Sequence, residues 1–487
     1  LPPTEVGYLW PLVQAPLTWF TGATFVQVLP PLVVLNVLVL GPVAVLSVYG
    51  IAAHIGGRLL GYWAATLWVI APFAAIPMFT DRYHEKWIDQ FVPQALGLTA
   101  MPDFPSMVLV LAAAFFVVRS FERDRLPEAI LAGLLAGAAG GLKPPNYLFV
   151  AGAVLAYPVA RRWREGAAFV LALVPSLILL AFWKWSGLGQ LPVLALEQAR
   201  LAAGTAPVAL ELDLDRYLEL DLEHWRNEMG GLREFFWSAR VAQWAPFAGL
   251  LAVLRVRRYP IAALLAGWLG AFILVKGFST RASIEANTFW RLLMPAWPAY
   301  LLLFASIPLL VPTLARRLGE RLRPPAARAV SRRAVIAAFM LTLAIPAVAI
   351  AASSPTDSPE RAVYQDDVGN FILTAVDDGV ELSVRRAGSG QELTWTTGGP
   401  WRADVSYRVY RTAGPGPDVE CEGSDGARAQ YCYVRSAPIA TTREPRFVDT
   451  APLAGGATYR IGIATNWADD PAQGDVFALS PPAPAAP

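Results

Sequence analysis

Three apolar runs follow one another closely: FPSMVLVLAAAFFVV (104–118), EAILAGLLAGAAGGL (128–142) and NYLFVAGAVLAYPVA (146–160). Runs this apolar predict helices inside a lipid bilayer, where a full span takes about 20 residues. The first two runs are joined by the basic segment RSFERDRLP, and the last two by KPP. These features predict a polytopic α-helical membrane protein.

The composition of the whole chain agrees with a membrane location. Of its 487 residues, 55% belong to the set AVILMFWYC and 16% are charged, and the mean hydropathy is +0.42. Soluble domains carry about 25% charged residues, so this composition excludes an ordinary soluble enzyme and a disordered chain. A formal net charge of +2 indicates no nucleic-acid partner.

Apolar segments recur along the chain up to residue 352, and we predict about ten transmembrane helices from them. They lie at 27–49, 60–79, 104–118, 128–142, 146–160, 166–184, 243–254, 260–276, 291–312 and 334–352. The segments 128–142 and 243–254 are shorter than a full span, so each could be tilted or partly re-entrant.

Arginines are concentrated in alternate loops between these segments. The basic positions are Arg58; Arg119, Arg123 and Arg125; Arg161, Arg162 and Arg164; Arg255, Arg257 and Arg258; and seven arginines from Arg316 to Arg333. Because cytoplasmic loops retain Lys and Arg, these five loops are predicted to be cytoplasmic. The remaining loops and the tail from residue 353 are then extracytoplasmic, and the active site is expected on that face.

The pattern changes in the tail. From Val380 onward apolar and polar residues alternate, as in VSYRVYR (405–411) and ATYRIGIATNW (457–467), which predicts strands. The predicted organisation is a membrane domain over 1–353, a linker over 354–379 and an all-β sandwich over 380–482.

The chain has two cysteines, Cys421 and Cys432, both in the tail. On an oxidising face we predict a disulfide between them, with two free or buried thiols as the alternative. No metal site is predicted, because no second pair of Cys or His accompanies them.

Three tail segments, LTW (393–395), YRVYR (407–411) and Leu453 followed by YRI (459–461), resemble the fibronectin type III pattern. The resemblance implies a β-sandwich in which Trp395 fills the core and Tyr459 forms a tyrosine corner with the preceding Leu453. It implies no activity.

Four segments of the membrane part carry a second resemblance: GYLWPLVQAPLTWFTG (7–22), GLTAMPDFPSMVLVLAAAFF (97–116), GLLAGAAGGLKPPNYLF (133–149) and NTFWRLLMPAWPAYLLL (287–303). In this order they resemble the GT-C superfamily of polytopic glycosyltransferases, which use polyprenyl-phosphate sugar donors. The resemblance implies a catalytic carboxylate at Asp103 and contacts to the donor phosphate at Lys143 and Arg291.

The first acidic motif of that superfamily is where this chain departs from it. Glu5 is the only acid before Asp81 and is a second candidate for the catalytic carboxylate. Because the sequence opens on Leu1, we expect the family's first span and principal acid to precede it.

The loop TDRYHEKWIDQ (80–90) adds further candidates. Arg82 is a candidate for a third contact to the phosphate, whereas Asp81, His84 and Glu85 are candidate acceptor contacts. The alternative is an ordinary solvated loop.

The chemistry explains why such residues belong together. A carboxylate can take the proton of an acceptor hydroxyl, while Lys and Arg neutralise the leaving phosphate. The simpler alternatives are helix capping by Asp103 and snorkelling of Lys143 and Arg291 to the membrane surface. A divalent cation could assist, although the sequence does not require one.

The predicted function is transfer of a sugar from a polyprenyl-phosphate donor to a glycan, lipid or protein acceptor outside the cell. A transporter or flippase of a lipid-linked glycan is the alternative, and a non-enzymatic anchor that presents the sandwich is a third. Richness in Ala, Arg and Pro favours a bacterial plasma membrane.

Overall fold

The computed structural model describes residues 7–21, 25–78, 97–122, 125–188, 194–196, 210–212, 221–231, 240–278, 288–321, 329–352, 361–365, 371–376, 380–397, 405–413, 419–422, 431–434, 437–453, 456–465 and 476–486. Up to residue 352 this part of the chain is mostly helical, and from residue 361 it is β-structure.

The helices are α1 (Leu9–Thr21), α2 (Phe25–Leu35), α3 (Gly41–Gly56), α4 (Arg58–Met78), α5 (Asp103–Ser120), α6 (Leu126–Leu142), α7 (Phe149–Val159), α8 (Trp163–Leu188), α9 (Leu222–Gly231), α10 (Arg240–Arg255), α11 (Tyr259–Gly277), α12 (Thr288–Leu293), α13 (Trp297–Ser306), α14 (Pro312–Arg321), α15 (Arg332–Phe339) and α16 (Ile345–Ala352). Two π-helical turns, Asn36–Leu40 and Met340–Ala344, join α2 to α3 and α15 to α16. Single 3-10 turns cover Pro144–Leu148, Met294–Ala296 and Ile307–Leu310. The short strands β1 (Leu194–Leu196) and β2 (Leu210–Leu212) pair antiparallel.

Several helices have the length and hydropathy needed to cross a bilayer, which indicates a membrane protein. Among the described residues there are six: Val28–Gly56, Asp103–Ser120, Trp163–Trp183, Tyr259–Gly277, Arg291–Leu310 and Arg332–Ala352. Two apolar helical segments, Arg58–Ala71 and Leu126–Leu142, are shorter. The prediction of ten spans is therefore not confirmed, although all ten predicted segments fall mainly in helical structure.

Helix α5 is the centre of the helical part. In its apolar window 83% of the residues are buried, against 17–67% in the other five candidate spans. Helices α3 and α6 pack against it, and α6 packs in turn against α8. A Cβ on Gly133 would lie 2.4 Å from the carbonyl oxygen of Phe169, so the backbones of α6 and α8 are in direct contact, as small residues allow between membrane helices.

A buried ionic cluster closes the end of the bundle where α5 ends and α6 begins. The carboxylate of Glu128 is fully buried, and its Oε1 accepts hydrogen bonds from Arg119 Nη2 (3.2 Å) and Arg125 Nη1 (3.1 Å). The backbone N–H of Val330 donates to the same oxygen at 3.0 Å, which ties the segment before α15 to this point. We call this the arginine end, and the opposite end, where α5 begins, the Asp103 end.

Two turns at helix ends hold an arginine in the left-handed backbone region. Arg161 (φ 55°) follows α7, and Arg257 (φ 59°) follows α10. In each turn the next backbone N–H donates to the carbonyl five residues earlier, at 3.0 and 3.2 Å, as in a Schellman motif. Glycine usually occupies this position, because a Cβ there costs about 1–2 kcal/mol.

The tail forms two β-sheets. Its strands are β3 (Arg361–Gln365), β4 (Phe371–Val376), β5 (Val380–Ala387), β6 (Gly390–Thr397), β7 (Val405–Ala413), β8 (Val419–Glu422), β9 (Tyr431–Val434), β10 (Pro438–Thr442), β11 (Arg446–Asp449), β12 (Ala457–Thr465), β13 (Val476–Leu479) and β14 (Ala483–Pro484). One sheet has the order β10-β7-β12-β13-β4-β3-β9-β8, with β14 also paired to β12, and the other has the order β11-β6-β5. Strands β3 and β4 lie within 354–379, so β-structure begins inside the predicted linker.

One apolar core is shared by the two sheets. It contains Val380, Leu393 and Trp395 from the smaller sheet and Tyr407, Val409, Ala457, Tyr459, Ile461 and Ile463 from the larger one. The rings of Trp395 and Tyr407 meet across the sheets with centroids 5.2 Å apart. Trp395 is therefore part of this core, 3% exposed.

Asp449, at the end of β11 in the smaller sheet, bonds to two side chains of the larger sheet. Its Oδ2 accepts hydrogen bonds from the hydroxyl of Tyr459 at 2.7 Å and from Arg411 Nη1 at 2.8 Å. Burial alone would raise the pKa of this carboxyl. The donors from Tyr459, Arg411 and the Ala451 N–H outweigh burial and hold the pKa below its usual value.

Substitution of Asp449 by Asn should therefore destabilise the sandwich by about 1–3 kcal/mol, because Arg411 loses a buried charged partner. In the wild type this contribution is fully present above the unfolded pKa of about 3.9, and is lost as the pH falls through the lower folded value. Hydrogen exchange of β12 amides in the full chain, corrected for intrinsic rates, measures both effects. Equal protection of wild type and Asp449→Asn at neutral pH would contradict the assignment.

The strands β8 and β9 place the two cysteines opposite each other. Their antiparallel register pairs Cys421 with Cys432. Directly opposed residues have Cβ atoms about 4.5–5.5 Å apart, close to the separation of about 3.5–4.5 Å in a disulfide. No disulfide occurs among the side chains that the structure describes, and these two side chains lie outside that set, so the disulfide stays a prediction.

Peptide mapping of the full chain without reductant tests this pairing. We expect the peptides that carry Cys421 and Cys432 to be recovered as one linked species that separates after reduction. Recovery of two alkylated thiols before reduction would show that they are free.

Candidate functional site

Asp103 is the first residue of α5, and its carboxylate lies inside the protein. The side chain is 0% exposed. It does not cap α5, since Pro102 precedes the helix and no side chain caps its N-terminus. A carboxylate this deeply buried is costly unless it is paired with cations and hydrogen-bonded.

Two cations from distant parts of the chain supply that pairing. Lys143 Nζ donates to Asp103 Oδ1 and, at 2.9 Å, to the backbone carbonyl of Arg291. The guanidinium of Arg291 donates from Nη2 to Asp103 Oδ2 at 3.0 Å. The Lys143 and Arg291 side chains are 12% and 33% exposed. Neither therefore behaves as a snorkelling residue, and the three residues named by the sequence form one site.

The backbone conformation at the end of α6 directs the Lys143 side chain toward Asp103. Its N–H donates to the carbonyl of Ala139 in the last turn of α6, and its own conformation is extended (φ −141°, ψ 103°). The buried Asn146 holds the turn that follows, since its N–H donates to the Lys143 carbonyl at 3.0 Å and its Nδ2 donates to Ala139 at 3.2 Å. Lys143 thus leaves the helix axis and reaches Asp103.

The site carries an excess of positive charge. Among the described residues two cations face one carboxylate, so one positive charge has no counter-charge in that part of the chain. Burial lowers the pKa of the Lys143 ammonium, although the carboxylate of Asp103 opposes this effect. The Nε of Arg291 is buried and has no hydrogen-bond partner among the described groups. This arrangement suits an anionic ligand that accepts hydrogen bonds.

A cluster of hydroxyls supports the same end of α6. Ser176 on α8 donates to the carbonyl of Gly137 at 2.7 Å, and the hydroxyls of Tyr8 (2.8 Å) and Tyr147 (3.1 Å) both bond to its Oγ. The N–H of Gly7 also donates to the Leu142 carbonyl at 3.3 Å. The sequence analysis missed this cluster. The one signal for it is a serine inside the apolar run 166–184.

Asn36 ties the first membrane helix to the approach to Asp103. It begins the π-helical turn between α2 and α3, is buried, and donates from Nδ2 to the Gly97 carbonyl at 2.9 Å. Residues 97–102 lead directly into α5, so this bond fixes the segment that carries Asp103. Such π-turns are frequent at functional sites.

The other predicted site residues lie outside the described part of the chain: Glu5, Asp81, Arg82, His84 and Glu85. No group of three His, Cys, Asp or Glu that could hold a metal ion occurs among the described residues. Both carboxylate oxygens of Asp103 contact cationic side chains, Oδ1 that of Lys143 and Oδ2 that of Arg291.

The fold and the site define a membrane protein with a buried cationic site at the Asp103 end of its helix bundle. Comparisons of the chain with protein families, with curated proteins and with solved structures find no match. The functional conclusion therefore depends on the chemistry of the site.

Removal of the Asp103 carboxylate should expose the cost of burying two cations together. We expect Asp103→Ala to lower the stability of the full chain by about 3–5 kcal/mol, because Lys143 and Arg291 lose their counter-charge. Thermal unfolding in detergent measures the loss. The matched control is the double variant Asp103→Ala with Lys143→Met. Because it also removes one of the two unpaired cations, it should be more stable than Asp103→Ala alone. An unchanged unfolding temperature for Asp103→Ala would contradict the ion-pair assignment.

Proposed function

We propose that this chain is an integral membrane glycosyltransferase that moves a sugar from a polyprenyl-phosphate donor to an acceptor. The supporting observation is that Asp103, Lys143 and Arg291 meet at one end of the bundle, where the described side chains carry one more positive than negative charge. The residues are 40 and 188 positions apart in sequence, yet each lies at or near a helix end. A site of this composition suits a reaction in which a phosphate departs.

The two cations have different parts in the proposed reaction. Arg291 presents a planar set of donors, including the unpartnered Nε, that matches the oxygens of a phosphate. Lys143 adds a compact charge beside it. Because both are largely removed from water, their attraction for charge that develops on the leaving phosphate is stronger than it would be in solution. The lipid tail of the donor would remain in the bilayer.

The arrangement around Asp103 suggests how a proton acceptor becomes available. In the structure both of its oxygens are engaged by Lys143 and Arg291, so neither is free to take a proton. A donor phosphate that bonds to these cations competes with Asp103 for them. The carboxylate oxygen released in this way can accept the proton of the acceptor hydroxyl as the sugar is transferred. Glu5 remains the second candidate.

The cellular setting follows from the charge pattern. Arginine-rich loops favour a cytoplasmic position for the arginine end, which puts the Asp103 end on the outer face of a bacterial plasma membrane. The donor set around Asp103 favours a reaction without a divalent cation at that carboxylate.

For the tail we propose a fibronectin type III-like sandwich. The order β11-β6-β5 opposite β10-β7-β12-β13, with Trp395 in the core and Tyr459 at the start of β12, supports this assignment. Its proposed role is to bind a glycan or protein acceptor, or to brace the outer loops.

Transfer of radiolabelled sugar from polyprenyl-phosphate donors by the full chain tests the proposed function. We expect Lys143→Met and Arg291→Gln each to lower kcat/KM about 100-fold, as loss of a donor to developing charge does. Arg226→Gln is the matched control, because Arg226 is an exposed arginine on α9.

Normal transfer by Lys143→Met or Arg291→Gln would remove the site assignment. Absence of transfer by the wild type, together with movement of a lipid-linked glycan across vesicles that contain it, would favour the flippase alternative.

A further inference from the structure

The two turns with a left-handed arginine share a sequence pattern. Ala160-Arg161-Arg162-Trp163 ends α7 and begins α8, and Val256-Arg257-Arg258-Tyr259 ends α10 and begins α11. In both, the first arginine has a positive φ, a second arginine follows, and an aromatic residue opens the next helix. The same left-handed arginine conformation therefore occurs twice, each time followed by a second arginine and an aromatic residue.

Backbone requirements alone would favour glycine at Arg161 and Arg257. Their side chains do not compensate for the strain through contacts inside the protein. Both are exposed, and neither makes a hydrogen bond or ion pair with the part of the chain that the structure describes. An unfavourable conformation kept twice for an outward-facing guanidinium indicates a partner outside the chain.

The two turns lie at the same end and the same depth of the bundle. Helices α7 and α11 pack closely, and a Cβ on Gly152 would lie 2.6 Å from the carbonyl oxygen of Leu264. Arg161 lies nine residues after Gly152 and Arg257 seven residues before Leu264, or roughly 10–14 Å from this contact at 1.5 Å per residue. Just before the second turn, Arg255 Nη1 donates to the Leu310 carbonyl, and the neighbouring Leu309 lies beside Gly56. Two residues before Gly56, His54 Nε2 is 3.7 Å from Glu122 at the arginine end. Arg162 Nε also donates to the Phe121 carbonyl at 3.0 Å, just after α5, so both turns belong to the arginine end.

The aromatic residues that follow the two turns indicate the depth of the turns in the membrane. Trp163 and Tyr259 are 68% and 51% exposed. In membrane helices such rings lie at the level of the lipid headgroups. The arginines that precede them are then at headgroup phosphate level as well. Neither turn contains an acid. The acids nearby in the described chain are paired: Glu165 in α8 faces Arg162 at 4.0 Å, and Glu122 pairs with Arg125 at 3.0 Å, so the two turns remain positively charged.

We propose that these two turns form a binding site for the headgroup phosphate of an anionic phospholipid. Arg161 and Arg257 supply the principal contacts, with Arg258 and Arg164 beside them. Guanidinium groups bind phosphate oxygens in pairs, and the adjacent rings hold the glycerol region of the same lipid. The site lies at the opposite end of the bundle from Lys143, so it is independent of the proposed sugar transfer.

Native mass spectrometry of the full chain, released from detergent with added phosphatidylglycerol, measures this binding. The test variant is Arg161→Gly with Arg257→Gly, which relaxes both backbones and removes two charges. We expect its apparent affinity for phosphatidylglycerol to fall about thirty-fold, and that of each single variant about five-fold. Binding of phosphatidylcholine should not change.

The matched control is Arg332→Gln with Arg333→Gln, which removes two exposed arginines from the start of α15. It should bind phosphatidylglycerol as the wild type does. An equal loss in this control would show that only total charge matters and would overturn the site. Inorganic phosphate is the second arm, and equal competition by free phosphate at millimolar concentration would overturn the lipid assignment.

Both double variants should elute as a single species in size-exclusion chromatography. If the double variant Arg161→Gly with Arg257→Gly does not elute as a single species, the two single variants are measured instead. Unchanged affinity in both singles would then overturn the proposal. Sugar transfer is not the readout, so failure here leaves the proposed function unaffected.

Discussion

A carboxylate buried at the start of a membrane helix needs positive charge around it, and this requirement organises the helical part of the protein. Asp103 is satisfied by Lys143 from the end of α6 and by Arg291 from α12. The turn after α6, with its bond from Asn146, fixes the backbone of Lys143. Lys143 Nζ in turn bonds to the backbone carbonyl of Arg291 at 2.9 Å. Loss of the Asp103 carboxylate would leave two cations without their shared counter-charge, whereas loss of either cation would leave one ion pair.

The pair α5 and α6 meets the same requirement at both ends. At the Asp103 end the acid belongs to α5 and the cation to the end of α6, whereas at the arginine end Glu128 belongs to α6 and Arg119 to α5. Between these ends the two helices pack closely through small and apolar residues. The cationic site therefore rests on a part of the bundle that resists rearrangement.

The resemblance to the GT-C superfamily named Asp103, Lys143 and Arg291, each of which stands at the boundary of an apolar run. It could not show that Asp103 bonds to both cations, since that depends on packing between helices far apart in the chain. The linker prediction missed strands β3 and β4. They pair with each other across a short gap, but their other partners, β9 and β13, are distant in the chain. The left-handed arginines likewise contradict local preference, which favours glycine, and only the backbone geometry reveals them.

We propose that Asp103 holds Lys143 and Arg291 ready for a lipid-linked phosphate. Cryo-electron microscopy of the full chain with bound polyprenyl phosphate tests it most directly. The account predicts phosphate density within hydrogen-bonding distance of both Lys143 Nζ and the Arg291 guanidinium, with at least one bond to Asp103 opened. Phosphate density elsewhere, with the three side chains still paired as they are here, would contradict it.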